Sequence, residues 1–294
     1  MNQFLSAVLI GVLNGAPYAL LALGLVLVYK GSRVFNFAQG EFGTVSAFVA
    51  YLLSFRMPVG AAMACGVLVG IVMGLLTERL VVQPLFNAPK VTLLVATAGV
   101  TSGSIALQLA IGDARLRAYP SLVEGEAFQA WGVPVSWQQV FVVLALVGLT
   151  LLLAAFFRTQ LGLAVLAAAQ EPVATDLVGI GTRKMSALVW ALAGLAGGLA
   201  GVFMAALHPF TPGYVTADFL AFAFVSAVVG GMTSMPGAVV GAMVLGLVQS
   251  FSASYLSEIG WVADNLPAPG ELAVFILLLG ILAFRPTGLL GREA

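Results

Sequence analysis

The sequence is short of charge, has a single cysteine and contains no basic cluster, and each shortage removes a class of protein. Only 8% of its 294 residues are charged, against ~25% in an ordinary soluble domain, which leaves too little to cover a water-facing surface. Twelve Lys and Arg balance twelve Asp and Glu, so no net or local positive charge attracts nucleic acid. Cys65 stands alone, which excludes a disulfide framework. Disorder is excluded by what is abundant: 61% of residues are hydrophobic and mean hydropathy is +1.08. What remains is a polytopic membrane protein.

At about 20 apolar residues per crossing, that content fills at most about nine transmembrane helices. Nine charge-poor runs are legible, at 4–29, 40–55, 57–77, 91–111, 138–157, 185–207, 219–235, 236–256 and 269–284. None shows the short alternation of a membrane barrel strand, so helices are the remaining solution in lipid. The predicted fold is an all-α integral membrane protein, one transmembrane domain over 1–294 with about 8–9 transmembrane helices, some interrupted. The first run has no Lys or Arg before Lys30 and is expected to be a retained helix, not a cleaved signal peptide. With the N-terminus outside, Lys30, Arg33, Arg79, Lys90, Arg158, Arg183, Lys184, Arg285 and Arg292 fall in inner connections. Arg56, Arg115 and Arg117 then fall outside, with Asp113, Glu124, Glu126, Glu258 and Asp264. The excess of basic residues on the inner side predicts a cytoplasmic C-terminus.

Two glycine-rich breaks interrupt the apolar pattern. The early one runs Asn36, Phe37, Ala38, Gln39, Gly40; the late one begins at Gly230 and Gly231, passes Thr233 and Ser234, and ends at Pro236 and Gly237. Pro236 removes a helical donor, so nearby carbonyls are expected to need other partners. Such breaks are either ordinary interfacial loops or interrupted helices whose freed backbone lines a pathway. The small residues at 194–201 and 237–246 predict close helix packing.

Catalytic chemistry is missing. Ionisable residues are absent from the middle of every run, and Glu41, Glu78, Asp218 and Glu271 lie near run ends, so a proton- or ion-driven carrier has little to work with. No phosphate-binding loop and no H-E-x-x-H helix occurs, and neither a cofactor nor a metal site is expected. His208 reads as an interfacial or capping residue and Cys65 as a packing residue.

The connection at 158–184 is the most informative loop. Residues 163–170 favour a helix, Pro172 suits a first helical position, and Gly179 suits a terminator. Two short helices are predicted, and their polar groups Gln170, Glu171, Thr175 and Asp176 either dock into a partner's groove or form a plain surface loop.

Together these residues resemble a known family, the membrane permease subunits of bacterial high-affinity branched-chain amino acid ABC transporters. The resemblance rests on Gly15 to Leu20, Val34 to Glu41, Glu78-Arg79, Pro84-Leu85, Leu161-Gly162, 167–172, 177–180, 227–237 and 285–291. It implies an inner-membrane importer subunit, not an enzyme, that moves branched-chain or other small amino acids, urea or short amides by alternating access. It implies as partners a second permease chain, two ATP-binding cassette ATPase subunits and an external binding protein. It makes 158–184 the cytoplasmic coupling loop, with Gly162, Gln170, Glu171, Asp176 and Gly179 at the ATPase. It sets Asn36, Phe37, Gln39 and Gly40 with Gly230, Gly231 and Ser234 along the substrate pathway. Two departures stand out: Gln39 replaces a usual His, which removes any titration there, and Leu163 and Leu166 lie where relatives carry arginines. The rival readings are an autonomous channel or facilitator for a small polar solute, and a structural scaffold.

Overall fold

The computed structural model describes residues 2–86, 88–259, 268–285 and 287–291. The chain is almost wholly helical: α1 (Asn2–Ser32), α2 (Gln39–Ser54), α3 (Val59–Thr77), α4 (Lys90–Gly112), α5 (Trp137–Phe156), α6 (Gln160–Gln170), α7 (Pro172–Leu177), α8 (Thr182–Ala205), α9 (Tyr214–Asp218), α10 (Leu220–Gly230), α11 (Met235–Tyr255) and α12 (Pro269–Phe284). Among the described residues, six segments are long and apolar enough to span a bilayer: α1, α3 with the π-helical turn Glu78–Val82 that extends it, α4, α5, α8 and α11.

The nine apolar runs are therefore not all of spanning length as helices. Each contains a helix, but α2 and α12 have 16 residues and α10 only 11. At 1.5 Å per residue α10 is about 16 Å long, roughly half of a ~30 Å hydrocarbon core. The run at 219–235 is long as apolar sequence and short as helix, because its last residues turn back at the late break. The all-α reading also misses a hairpin, β1 (Glu126–Ala130) with antiparallel β2 (Val133–Ser136). Its turn residues Trp131 and Gly132 both have positive φ, which suits a two-residue hairpin loop. Ser6 Oγ donates to the Trp131 carbonyl, tying the hairpin to α1.

Helices α1 and α8 form the core, and α3, α4 and α5 the periphery. Without a hydrophobic drive between helices in lipid, close backbone approach supplies the packing. Gly11 and Gly15 of α1 meet Gly246 of α11, Gly70 of α3 meets Gly194 of α8, and Gly43 of α2 meets Gly201 of α8. The small residues at 194–201 and 237–246 thus have packing contacts. Asp264, Pro286 and Arg292 lie outside the described residues.

Candidate functional site

The early break is a short non-helical segment, residues 33–38, between α1 and α2; Gln39 and Gly40 already belong to the first turn of α2. Asn36 Oδ1 accepts from the Ala38 N–H at 3.0 Å, an Asx turn that starts the helix, and Asn36 Nδ2 donates to Gln39 Oε1 at 3.2 Å. Gln39 Nε2 donates in turn to the Ala193 carbonyl of α8 at 2.9 Å. Both side chains are buried, and Gln39 lies over Gly24, where any larger residue would displace it. Phe37 is partly exposed, and its N–H donates to Thr97 Oγ1 of α4. Gly40 lies directly against Thr216.

Sequence reasoning missed the centre of this region. Glu41 was expected near the end of a run; it is fully buried, where two neutral donors meet its carboxyl. Thr216 Oγ1 donates to Oε1 at 2.6 Å and Gln108 Nε2 to Oε2 at 2.5 Å. Gln108 Oε1 accepts from the Gly213 N–H, and Thr44 Oγ1 accepts from the Val215 N–H. One network therefore joins the first turn of α2, α4 and the α9 segment. No cation pairs with Glu41 among the described residues, so its burial is offset by these donors and by its place in the positive first turn of α2. The available signal was an acidic residue immediately after a break, in a helix otherwise free of charge.

The late break is built differently. Gly231, with φ +106, ends α10, and Ser234 caps α11 by accepting from the Gly237 N–H at 3.1 Å. Pro236 falls in the first turn of α11, where a missing donor costs nothing, so the expectation that it frees carbonyls is corrected. The carbonyls at the end of α10 are taken by the C-terminal segment: Leu289 N–H donates to the Val229 carbonyl at 2.8 Å and Leu290 N–H to that of Gly230 at 3.0 Å. Gly230 touches Gly237, and Gly231 touches Gly291, at distances that admit no Cβ.

Beside this break lies a cavity of about 740 Å³ between α1, α5, α6 and the C-terminal segment. It brings Ser234 and Gln170 together on one wall system, whereas Asn36, Phe37, Gln39 and Gly40 do not line it. The two groups of candidate pathway residues thus occupy separate places in the isolated chain.

Within 158–184 the two short helices form as expected, with a break at Glu171 and with Gly179 in the left-handed region. Gln170, Glu171 and Gly179 are exposed. Gly162 is buried against Phe156 and Phe157, and Asp176 accepts from both the N–H and the hydroxyl of Thr182, so these two shape the loop from within. The unforeseen feature is apolar: Val173 (75% exposed), Leu177 (84%) and Val178 (74%) project from α7. A six-residue helix gains little stability from so exposed a face.

The sequence is similar to those of known transport proteins. A family model described as the permease component of branched-chain amino acid transport systems matches residues 7–284. The high-affinity branched-chain amino acid transport system permease protein BraD of Pseudomonas aeruginosa is 32% identical over 99% of this chain and 96% of its own. LivH of Escherichia coli is 28% identical, over 98% and 96%. A probable branched-chain amino acid transport permease of Methanocaldococcus jannaschii is 28% identical, over 93% and 88%. The chain belongs to the branched-chain amino acid transport permease family.

Proposed function

We propose that this chain is the membrane permease subunit of an ATP-binding cassette importer, and that it passes branched-chain or similar small amino acids inward by alternating access. The family match over almost the whole length carries this reading. The chain is a multi-pass membrane protein, and a family of permease components implies partners: a second permease chain, two ATPase subunits and an external binding protein. Nine passages through the inner membrane are proposed, with the N-terminus outside and the C-terminus in the cytoplasm. In the three short passages, non-helical segments such as 33–38 and 206–213 complete the crossing. Two observations support that orientation. Lys30 and Arg33 line the cavity that α6 also lines, and Arg79 and Arg183 line a second cavity with Asp176, so basic residues gather at the end of the bundle that carries 158–184.

The proposed coupling surface is α6 and α7, with Glu171 at their junction and Val173, Leu177 and Val178 as apolar anchors in a groove of the ATPase. Differential binding of that partner to inward and outward states drives the cycle. Leu177→Asp and Glu171→Lys are each expected to cut substrate-stimulated ATP hydrolysis of the reconstituted complex at least tenfold, about 1.4 kcal/mol of lost coupling, while the permease still inserts. Normal stimulation in both variants would remove α7 from the interface.

Sidedness is tested by labelling single cysteines in intact cells. Glu124→Cys should react with an impermeant reagent, and Val178→Cys only after the membrane is opened; the reverse pattern would overturn the orientation. Val178 is exposed and so open to the reagent. Liposomes holding this chain alone test the function itself. Substrate flux without ATPase subunits would establish a channel or facilitator and sink the importer reading.

A further inference from the structure

The cavity beside the late break is lined by two cations, Lys30 and Arg33, and by no acidic side chain. Neither cation forms an ion pair among the described residues; Lys30 lies 5.1 Å from the centre of the Phe157 ring, and Arg33 sits in the left-handed region at the end of α1. The Thr150 hydroxyl, on the cavity wall, is buried and has no hydrogen-bond partner. The remaining wall is largely apolar, including Leu153 and Ala154 of α5 and Phe157 just after it. The neighbouring α5 residues Leu151 and Leu152 are exposed, so one face of this helix borders the cavity while the next faces outward.

We infer that this cavity binds the phosphate of an acidic phospholipid, with Lys30 and Arg33 on the headgroup and the α5 wall beside an acyl chain. A net anion fits two unpaired cations. A zwitterionic amino acid fits poorly, because its ammonium finds no carboxylate there. Basic pockets between helices at a membrane surface bind lipid headgroups for these electrostatic reasons. The volume of about 740 Å³ lies in the range of ligand sites. The occupant touches both Gln170 of α6 and Ser234 of the late break, and so bridges the proposed coupling helix and the proposed pathway. Which leaflet supplies it follows from the proposed orientation; the site itself does not depend on that reading.

The test is retention of phosphatidylglycerol against phosphatidylcholine by the purified complex during detergent delipidation, read by mass spectrometry without ATP or substrate. Phosphatidylglycerol should be kept selectively, and Lys30→Gln with Arg33→Gln should lower its retention about thirtyfold, from roughly a fivefold loss per charge. The charge-preserving pair Lys30→Arg with Arg33→Lys should keep the lipid, as should Arg56→Gln with Arg115→Gln at the other end. Release of the lipid by inorganic phosphate alone would keep the anion site but overturn the lipid as its ligand. Equal retention of both lipids, or release by leucine, would overturn the inference. Because lipid binding is read without transport, its failure is distinct from failure of the importer reading.

Discussion

Glu41→Ala should abolish most uptake and loosen the α9 segment. The substitution removes the two acceptors used by Gln108 Nε2 and Thr216 Oγ1, both inside the buried network. Hydrogen bonds to a charged group are worth about 1.5–3 kcal/mol each, and donors left unpaired in the interior add their desolvation cost, so a loss of about 3–5 kcal/mol is expected. Transport should fall at least tenfold. The loss is local, because Glu41 joins α2 and α4 to α9 while the α1–α11 and α3–α8 contacts lie elsewhere. The measurement is labelling of Val215→Cys, a fully buried position whose N–H is held by Thr44. In the Glu41→Ala background this cysteine should become reactive while the chain stays inserted. Glu41→Gln keeps one acceptor and should fall between wild type and Ala. Unchanged uptake and an unreactive Val215→Cys in Glu41→Ala would show that the network does not hold this segment.

Apolar runs without strand alternation exposed the helices, and the two breaks were visible because amide, hydroxyl and proline residues join glycine there to interrupt the apolar pattern. Helix length was less legible. The run at 219–235 is apolar throughout, yet α10 stops at Gly230 because Gly231 turns with positive φ and the C-terminal segment caps its carbonyls. That contact joins residues about 60 positions apart and leaves no local trace. Pro236 was misread for a related reason: its effect depends on whether it stands inside a helix or in its first turn, which only the boundary at Ser234 decides. The short helices at 158–184 were legible from Pro172 and Gly179, since backbone constraints act locally. The apolar knob at Val173, Leu177 and Val178 was not, because exposure belongs to the tertiary structure. Glu41 was hidden for the same reason: its position near the start of a run says nothing of where the start of α2 lies in the bundle.

Gly201→Leu should have the largest effect on assembly. Gly201 of α8 and Gly43 of α2 meet backbone to backbone, and a Cβ at 201 would collide with the carbonyl oxygen, carbonyl carbon and Cα of Gly43. These are main-chain atoms, so no rotamer change relieves the overlap; the helices must move apart. Separation would pull Phe42 from Trp190 and Gln39 from the Ala193 carbonyl, which lie along the same crossing. Overpacking in an interior costs about 1–3 kcal/mol when side chains can give way, and a backbone clash lies at or above the top of that range. The variant should therefore accumulate poorly and lose the ability to enter a complex. Gly103→Leu provides the comparison, since a Cβ at Gly103 meets nothing within 4 Å in this chain. It should fold as a single chain, and its own helix should gain from the loss of a glycine by up to ~1 kcal/mol. Thermal unfolding of the two purified variants in detergent separates the cases. A large drop for Gly201→Leu with none for Gly103→Leu assigns the α2–α8 crossing to backbone contact, whereas equal behaviour would mean that the crossing tolerates separation and that the buried network around Glu41, not the glycine contact, holds α2 in place.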